Sequence, residues 1–444
     1  MGNRLRSLFS EYGMLGVLLL LCLVCSVATI SKQQPTDGWT ADRLAAKVAT
    51  EYPGGSAVIV GLRSGEEGAF VNAVRVGLER RGMTVLAGVN GPPAEMERAI
   101  RSAIAAGRRV DVIVSSLSVA EYPILQPARY ASPLTEKMHI VSPRVYYWPT
   151  FLLTSNLMNI VQQVSVIAII AIGMTMVIIS GGIDLSVGSV MALASVTVAW
   201  LILKLGGSGW TLTANMWLAS LLTVALCGLS GLFTGTMVTR FQVPPFIVTL
   251  ALMMSFGGLA FLIGETGQGN KISIPAEFMA FGRGKLLGMP LSVLLMLFLY
   301  ALAHLILTRT VYGRHLYSLG GNAKAAFLSG IRVARVTTVA YVACSALAGL
   351  GGIILSSIFS AGDPLTGAQY ELMVISAVVV GGTSLSGGEG KIVNTLVGSL
   401  VIAVTGNAMN LARLNSHVQM VVLGMVILAA VLIDRLKRGR ENRA

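Results

Sequence analysis

From Phe151 onward the chain is a succession of apolar runs, each about 20 residues long and almost free of charge, a pattern no soluble fold accommodates. A helix of that length matches the hydrocarbon core of a bilayer, where every backbone N–H and C=O must be paired within its own segment. Nine runs read as spans, at roughly 163–180, 186–204, 215–237, 244–263, 290–309, 336–356, 370–387, 391–409 and 416–433. A tenth, Gly13 to Ile30, precedes them and is just long enough to cross. Only 12% of residues are charged, against about 25% in soluble domains, so the placement of charge is informative.

That placement orients the chain. Arg4 and Arg6 precede the first run, which puts the N-terminus on the cytoplasmic side. A cleaved leader is the rival reading, with Ser26-Val27-Ala28 as its processing site. With ten spans the C-terminus returns to the cytoplasm. The cytoplasmic segments then hold 14 basic residues, including five between Arg309 and Arg335, and the short external segments hold five. The net charge of +13 is therefore a membrane signature and argues against nucleic acid as a partner. Around Gly181 and Gly381 the helices are open to being broken or re-entrant.

Residues 31–148 are of a different texture, with 14 basic and 11 acidic residues and no run able to span. Short apolar runs at Ala57–Leu62, Thr84–Val89 and Val110–Val114 alternate with helical patterns. Phe70, Val74 and Leu78 recur at four-residue spacing, and Met96, Ala99, Ile100, Ala103 and Ile104 share one face of Pro93–Ala106. Such alternation implies a parallel sheet covered by helices. The expected fold is thus an all-α polytopic membrane protein of about ten transmembrane helices, with a small α/β extracytoplasmic domain inserted after the first. Its parts are a tail and first span (1–30), the inserted domain (31–148), a transmembrane domain (149–434) and a basic cytoplasmic tail (435–444).

Two glycines interrupt an apolar helix at Gly181-Gly182-Ile183-Asp184-Leu185-Ser186-Val187-Gly188-Ser189. Asp184 stands where the next helix begins, and its carboxylate can accept free backbone N–H groups there. Alternatively Asp184, Ser186 and Ser189 belong to a translocation route or its gate, since intramembrane carboxylates are usually functional. The uncharged polar residues in or near the spans, Gln162, Gln163, Thr175, Asn394, Asn407 and Asn410, are candidates for a solute path and equally for glue between helices. Cys22 and Cys25 have C-x-x-C spacing but no second ligand pair, so neither a metal site nor a disulfide is expected.

GGIDLSVGSVMALASV, preceded by NLMNIVQQVSVIAIIAIGMTMVIIS, closely resembles the ribose-type permeases of ABC sugar importers. The resemblance continues in YGRHLYSLGGNAKAAFLSGIRV and YELMVISAVVVGGTSLSGGEGKIVNTLVGSLVIAV, so three motifs occur in family order. It implies four partners: a small sugar as substrate, a second permease copy, an extracytoplasmic sugar-binding protein and a cytoplasmic ATPase that carries the ATP and Mg²⁺. Lipid surrounds the chain, and no cofactor is expected in it. The segment Arg309–Arg335 also argues its own role. It is the longest and most basic internal loop, with Asn322 as a cap, Ala323–Ser329 as a short helix and Gly330 as a stop. The resemblance implies that Gly313, Arg314, Gly320, Gly321, Asn322, Ala325, Ser329 and Gly330 form the ATPase-coupling loop. Leu385-Ser386-Gly387-Gly388-Glu389 looks like the LSGGQ signature of ABC ATPases, yet no G-x-x-x-x-G-K-S/T motif accompanies it. It reads as a turn of the permease, and the chain is not expected to be an enzyme.

Ribose-type permeases pass from the first span to the next after a short connection, and this chain inserts over 100 residues there. SAVIVGLRSGEEGAFVNAVRVGLERRGMTVLAG and IRSAIAAGRRVDVIVSS resemble the N-terminal lobe of periplasmic sugar-binding proteins. A site at the strand ends would draw on Arg63, Ser64, Asn90, Ser115 and Ser116. Half a cleft binds weakly, which leaves docking of a soluble binding protein, or no role in transport, as the readings. Two other classes compete for the whole chain. An ion-coupled secondary transporter is poorly supplied with ionisable residues beyond Asp184 and Glu371, and a solute receptor needs only one span.

Overall fold

A computed structural model of the chain describes residues 2–33, 38–62, 65–130, 132–144, 146–206, 211–267 and 271–441. They divide into two compact units, one made of residues 1–28 with 151–444 and the other of Thr29–Thr150.

The first unit is helical. In chain order its helices are α1 (Gly2–Ala28), then α5 to α16 after the second unit's α2 to α4. They are α5 (Thr154–Ile179), α6 (Val187–Leu205), α7 (Leu212–Thr239), α8 (Pro245–Gly264), α9 (Met279–Arg283), α10 (Leu291–Arg309), α11 (Val311–Gly321), α12 (Ala323–Leu328), α13 (Val333–Phe359), α14 (Tyr370–Val380), α15 (Ile392–Leu411) and α16 (Ser416–Glu441). Seven of them, α5, α6, α7, α8, α10, α13 and α15, are long and apolar enough to cross a membrane. Shorter apolar helices run over Met14–Ala28, Tyr370–Val380 and Ser416–Val426. Helix α5 is the hub: 89% of its most apolar window is buried, against 17% for α8. A helix apolar on every side belongs at the centre, and α5 packs there against α10, α13, α14 and α15. Close approach of α5 to α13 depends on Gly173, where a Cβ would lie 2.4 Å from Cα of Cys344.

One expected span is corrected. Residues 370–387 do not form a single helix; α14 stops at Val380, after 11 residues. Gly382, at φ +84°, turns the chain in the left-handed region, the Gly382 N–H donates to Val379 O (2.8 Å) and the Thr383 N–H to Val378 O (3.1 Å). This is a Schellman stop, at the Gly381 position where the sequence leaves the helix open to being broken. Ahead of α14 a two-residue strand, Ala361–Gly362, passes into turns over residues 364–369, and the segment lies along α6. A Cβ on Gly362 would sit 2.6 Å from that of Ala199, and one on Gly367 would sit 2.5 Å from Gly188 O. Backbone outside regular helices must find partners for its N–H and C=O groups. Here the Asp363 N–H donates to Ser195 Oγ (3.1 Å), and Ala361–Gly362 pairs with Ile272–Ser273.

In the second unit, α2 (Gly38–Glu51), α3 (Gly65–Glu79) and α4 (Pro93–Ala105) accompany strands β1 (Ile30–Gln33), β2 (Ser56–Gly61), β3 (Thr84–Asn90), β4 (Val112–Ser115), β5 (His139–Val141) and β6 (Tyr146–Pro149). Strands β3-β2-β4-β5 form a parallel sheet in that order, and β1 pairs antiparallel with β6. Alternation along β2 sends Ala57 and Ile59 to a layer shared with α2 and α3, where Phe70, Val74 and Leu78 are fully buried. Val58 and Val60 face the opposite layer, against Met96 and Ile100 of α4. At the surface, Arg101 and then Arg129 hydrogen-bond the Glu97 carboxylate and hold its pKa below the ordinary range.

Candidate functional site

Helix α5 ends in the same way as α14. The Gly181 N–H donates to Ile178 O (2.9 Å) and the Gly182 N–H to Val177 O (3.0 Å), with Gly181 at φ +84°. Gly182 is held to glycine by space, since a Cβ there would meet the Tyr341 hydroxyl at 2.4 Å. The turn that follows carries Asp184, which is fully buried. Its Oδ1 accepts from the Ser186 N–H (2.9 Å) and from Ser186 Oγ (2.6 Å). Ser186 is itself the N-cap residue of α6, and no side chain caps that helix. Asp184 thus shapes the approach to α6 through an Asx turn, and does not bond the helix's own first-turn N–H groups. Ser189 Oγ donates to Ser186 O (2.8 Å). Gly188 leaves room for Glu371, whose Oε2 would lie 2.1 Å from a Cβ at that position. Among the described residues, Asp184 Oδ2 and the Tyr341 hydroxyl are buried without a hydrogen-bond partner. Sequence reasoning missed Tyr341, because an aromatic inside an apolar run carries no signal of its own.

The segment 309–335 folds as two capped helices. Thr310 Oγ1 accepts from the Gly313 N–H (3.4 Å), and Gly313 lies tight against α10, with Leu307 O 2.2 Å from where its Cβ would be. Arg314 is exposed on α11. Asn322 Oδ1 accepts the Ala325 N–H (3.0 Å), Ser329 Oγ donates to Ala325 O (2.9 Å), and Gly330 at φ +83° ends α12. Phe327 and Leu328 on this short helix are 67% and 83% exposed. Two large apolar side chains presented together on a rigid, polar-capped helix are suited to entering a groove on another protein.

Three glycines weld this projection to the turn after α5. A Cβ on Gly320 would lie 1.8 Å from Ile179 O and 2.3 Å from Gly388 N. The Gly388 N–H donates to Ile179 O (2.9 Å), satisfying one of the carbonyls left open at the end of α5. Gly387 and Gly388 both hold positive φ, and the Tyr317 hydroxyl donates to Gly390 O (2.8 Å). The glycines of the LSGGE segment are therefore packing positions. Gly321, next in line, has open space around it. A cleft of about 1050 Å³ runs between these parts, lined among others by Gly181, Gly182, Leu319, Lys324, Phe327 and Tyr341.

The polar residues named for a solute path are dispersed. Thr175 and Asn407 join helices: Thr175 Oγ1 lies 3.0 Å from Thr395 Oγ1, and Asn407 exchanges amide hydrogen bonds with Asn156 (2.8 and 3.1 Å). Interhelical bonds of this kind average about 0.6 kcal/mol. Gln162 donates to Gly282 O (3.0 Å), and Asn410, which is exposed, accepts from Gln419 (2.9 Å). Gln163 and Asn394 are half-buried. A second polar line follows α6, where Ser195 Oγ lies 3.3 Å from Thr366 Oγ1.

At the strand ends of the second unit, Arg63 and Ser64 lie outside the described residues. The order β3-β2-β4-β5 puts the switch point between β2 and β4, the usual place for a ligand. Glu67 fills it. Its carboxylate accepts from the Leu62 N–H (2.6 Å), Ser116 Oγ (2.8 Å) and Ser118 Oγ (2.6 Å). Ser115 is buried beneath, and Asn90 packs against Gly68. An internal carboxylate already uses the donors that a ligand would need.

A family model described as "Branched-chain amino acid transport system / permease component" matches residues 156–431, leaving Thr29–Thr150 outside the match. The ribose import permease protein RbsC of Bacillus subtilis is 42% identical over 289 residues, covering 65% of this chain and 87% of that protein. RbsC of Escherichia coli is 40% identical over 292 residues, 65% and 88% of the two chains. The L-arabinose transport system permease protein AraH of Escherichia coli is 36% identical over 295 residues, 66% and 87%. No solved structure matches the chain.

Proposed function

The chain belongs to the family of branched-chain amino acid transport system permease components, and from that premise we propose that it is the membrane-spanning subunit of an ATP-binding cassette importer for a monosaccharide. It is a transport component and not an enzyme. A sugar, rather than an amino acid, is supported by the relatives named for ribose and L-arabinose and by the interior chemistry. Buried polar side chains of the first unit are hydroxyls and amides, with Asp184 the one fully buried carboxylate among the described residues. Such groups replace the water that a neutral, hydroxyl-rich solute sheds. A zwitterion would call for paired charges.

In this reading the chain lies in the bacterial inner membrane. The basic residues near its two ends put both termini in the cytoplasm and residues 31–148 outside it. Two permease copies form the path, a cytoplasmic ATPase supplies ATP and Mg²⁺, and a soluble sugar-binding protein delivers the solute. The observation that carries the proposal is the α11–α12 projection with its exposed Phe327 and Leu328, joined by backbone contact to the end of α5. Closure of the ATPase dimer would push α12, and the α5–α6 turn would follow, changing which side the path faces. Purification from native membranes in mild detergent is expected to bring an ABC ATPase at stoichiometric level, lost when residues 322–330 are scrambled. A homo-oligomer without ATPase, under conditions that preserve an established importer complex, would favour ion-coupled transport instead.

For the second unit we propose docking of the soluble binding protein, because Glu67 occupies the place where a ligand would sit. Deleting Gln33–Pro143 should raise the KM for uptake from the loaded binding protein several-fold while leaving basal ATP hydrolysis unchanged. An unaltered KM sinks the docking role.

A further inference from the structure

We propose that the cleft between α2 and the β6 end of the Thr29–Thr150 unit holds the phosphate-bearing headgroup of an anionic phospholipid. The cleft, of about 760 Å³, lies wholly within that unit and is lined by Trp39, Arg43, Lys47, Arg144, Tyr146 and Trp148, with no acidic residue among its lining side chains. The Arg43 guanidinium lies 4.5 Å from the centre of the Trp39 ring, which holds the charge at the mouth without neutralising it. Arg43 and Arg144 make no ion pair among the described residues, and Lys47 reaches only Glu51, at 3.6 Å between two half-exposed side chains. Three cations converge on one concavity, so the complementary occupant is an anion.

The identity of that anion follows from the aromatic residues and the chain's connectivity. Trp39 is 68% exposed and Trp148 is 46% exposed, a costly display on a surface that faces only water. Strand β6 ends at Pro149, five residues before α5 begins, and β1 begins two residues after α1 ends. Both strands of the ribbon are thus tethered within a few residues of apolar helices, the position at which Trp and Tyr mark the membrane–water boundary and Lys or Arg meets phosphate. The inference rests on the chain crossing a membrane, not on which solute it carries or on which side this unit lies.

The test uses the full chain in bilayer nanodiscs containing phosphatidylcholine and phosphatidylglycerol. Native mass spectrometry after mild delipidation should show one phosphatidylglycerol per chain retained by the wild type. The Arg43→Gln/Arg144→Gln double variant should bind it about thirty-fold more weakly, the effect expected of two interfacial cations. The Arg43→Lys variant, which keeps the charge, should retain most of it. Millimolar inorganic phosphate should leave retention unchanged. Equal retention by wild type and the double variant overturns the proposal, as does equal retention of phosphatidylcholine. Displacement by inorganic phosphate also overturns it, and would make the cleft a site for a soluble anion.

Discussion

Replacing Gly320 with alanine is expected to lower ATP-driven uptake at least about ten-fold while the protein still reaches the membrane. The added methyl would lie 1.8 Å from Ile179 O and 2.3 Å from Gly388 N, and both are backbone atoms that no side-chain rotation can move aside. The hydrogen bond from the Gly388 N–H to Ile179 O must lengthen or break, at about 1 kcal/mol. Overpacking adds about 1–3 kcal/mol. The lost energy falls on the joint that links α11 and α12 to the end of α5, so transmission suffers before the fold does. The neighbouring residue supplies the control. A Cβ on Gly321 meets nothing within 4 Å, so Gly321→Ala should transport as the wild type does. The measurement is uptake into membrane vesicles with ATP supplied on the ATPase side, normalised to the amount of assembled complex. Full uptake by the Gly320→Ala complex would show that motion does not pass through this joint.

How much of this could be read from residues alone depends on whether the cause was local. The long helices were legible because apolar runs bounded by Arg or Lys say both where a span lies and where it ends; α10, closing on Arg309, is an instance. Helix α12 was legible because its cap, Asn322, and its stop, Gly330, are neighbours of the residues they govern. Strands β2, β3 and β4 announced themselves by runs of valine and isoleucine, whereas β5, at three residues, was too short to do so. The break after α14 was signalled by Gly381-Gly382, which repeats the Gly181-Gly182 pair, although the apolar run over 370–387 reads as one span. Contacts between distant segments were not legible at all. Nothing near Glu67 in sequence shows that it meets Ser116 and Ser118, and nothing near Gly388 shows that it meets Ile179 and Gly320. Those contacts turn a list of candidate residues into a joint.

For Asp184 the geometry separates two roles that the residue type leaves together. If its task is the turn, what matters is the oxygen that accepts the Ser186 N–H and hydroxyl, at 2.9 and 2.6 Å. Asp184→Asn keeps that acceptor. It also places an amide donor where Oδ2, which has no partner among the described residues, now stands. Asn should therefore cost no more than about 1 kcal/mol, since it keeps the hydrogen bonds of the turn and adds no buried charge. Asp184→Ala removes the acceptor and leaves two donors of Ser186 buried and unpaired, at about 1–3 kcal/mol each. The alanine variant should unfold at a markedly lower temperature in detergent and lose at least about ten-fold in uptake, while the asparagine variant keeps most of both. Thermal unfolding followed by size-exclusion chromatography, with uptake measured in parallel, checks both arms. The informative failure is an asparagine variant that folds as well as the wild type and does not transport. Turn geometry would then be intact, and the lost activity would belong to the charge itself, placing Asp184 in the route or its gate. Loss of stability in both variants alike would instead mean that the second carboxylate oxygen carries a bond that only an acid can make, with the Tyr341 hydroxyl, buried against the same turn and without a partner among the described residues, as the group to replace next.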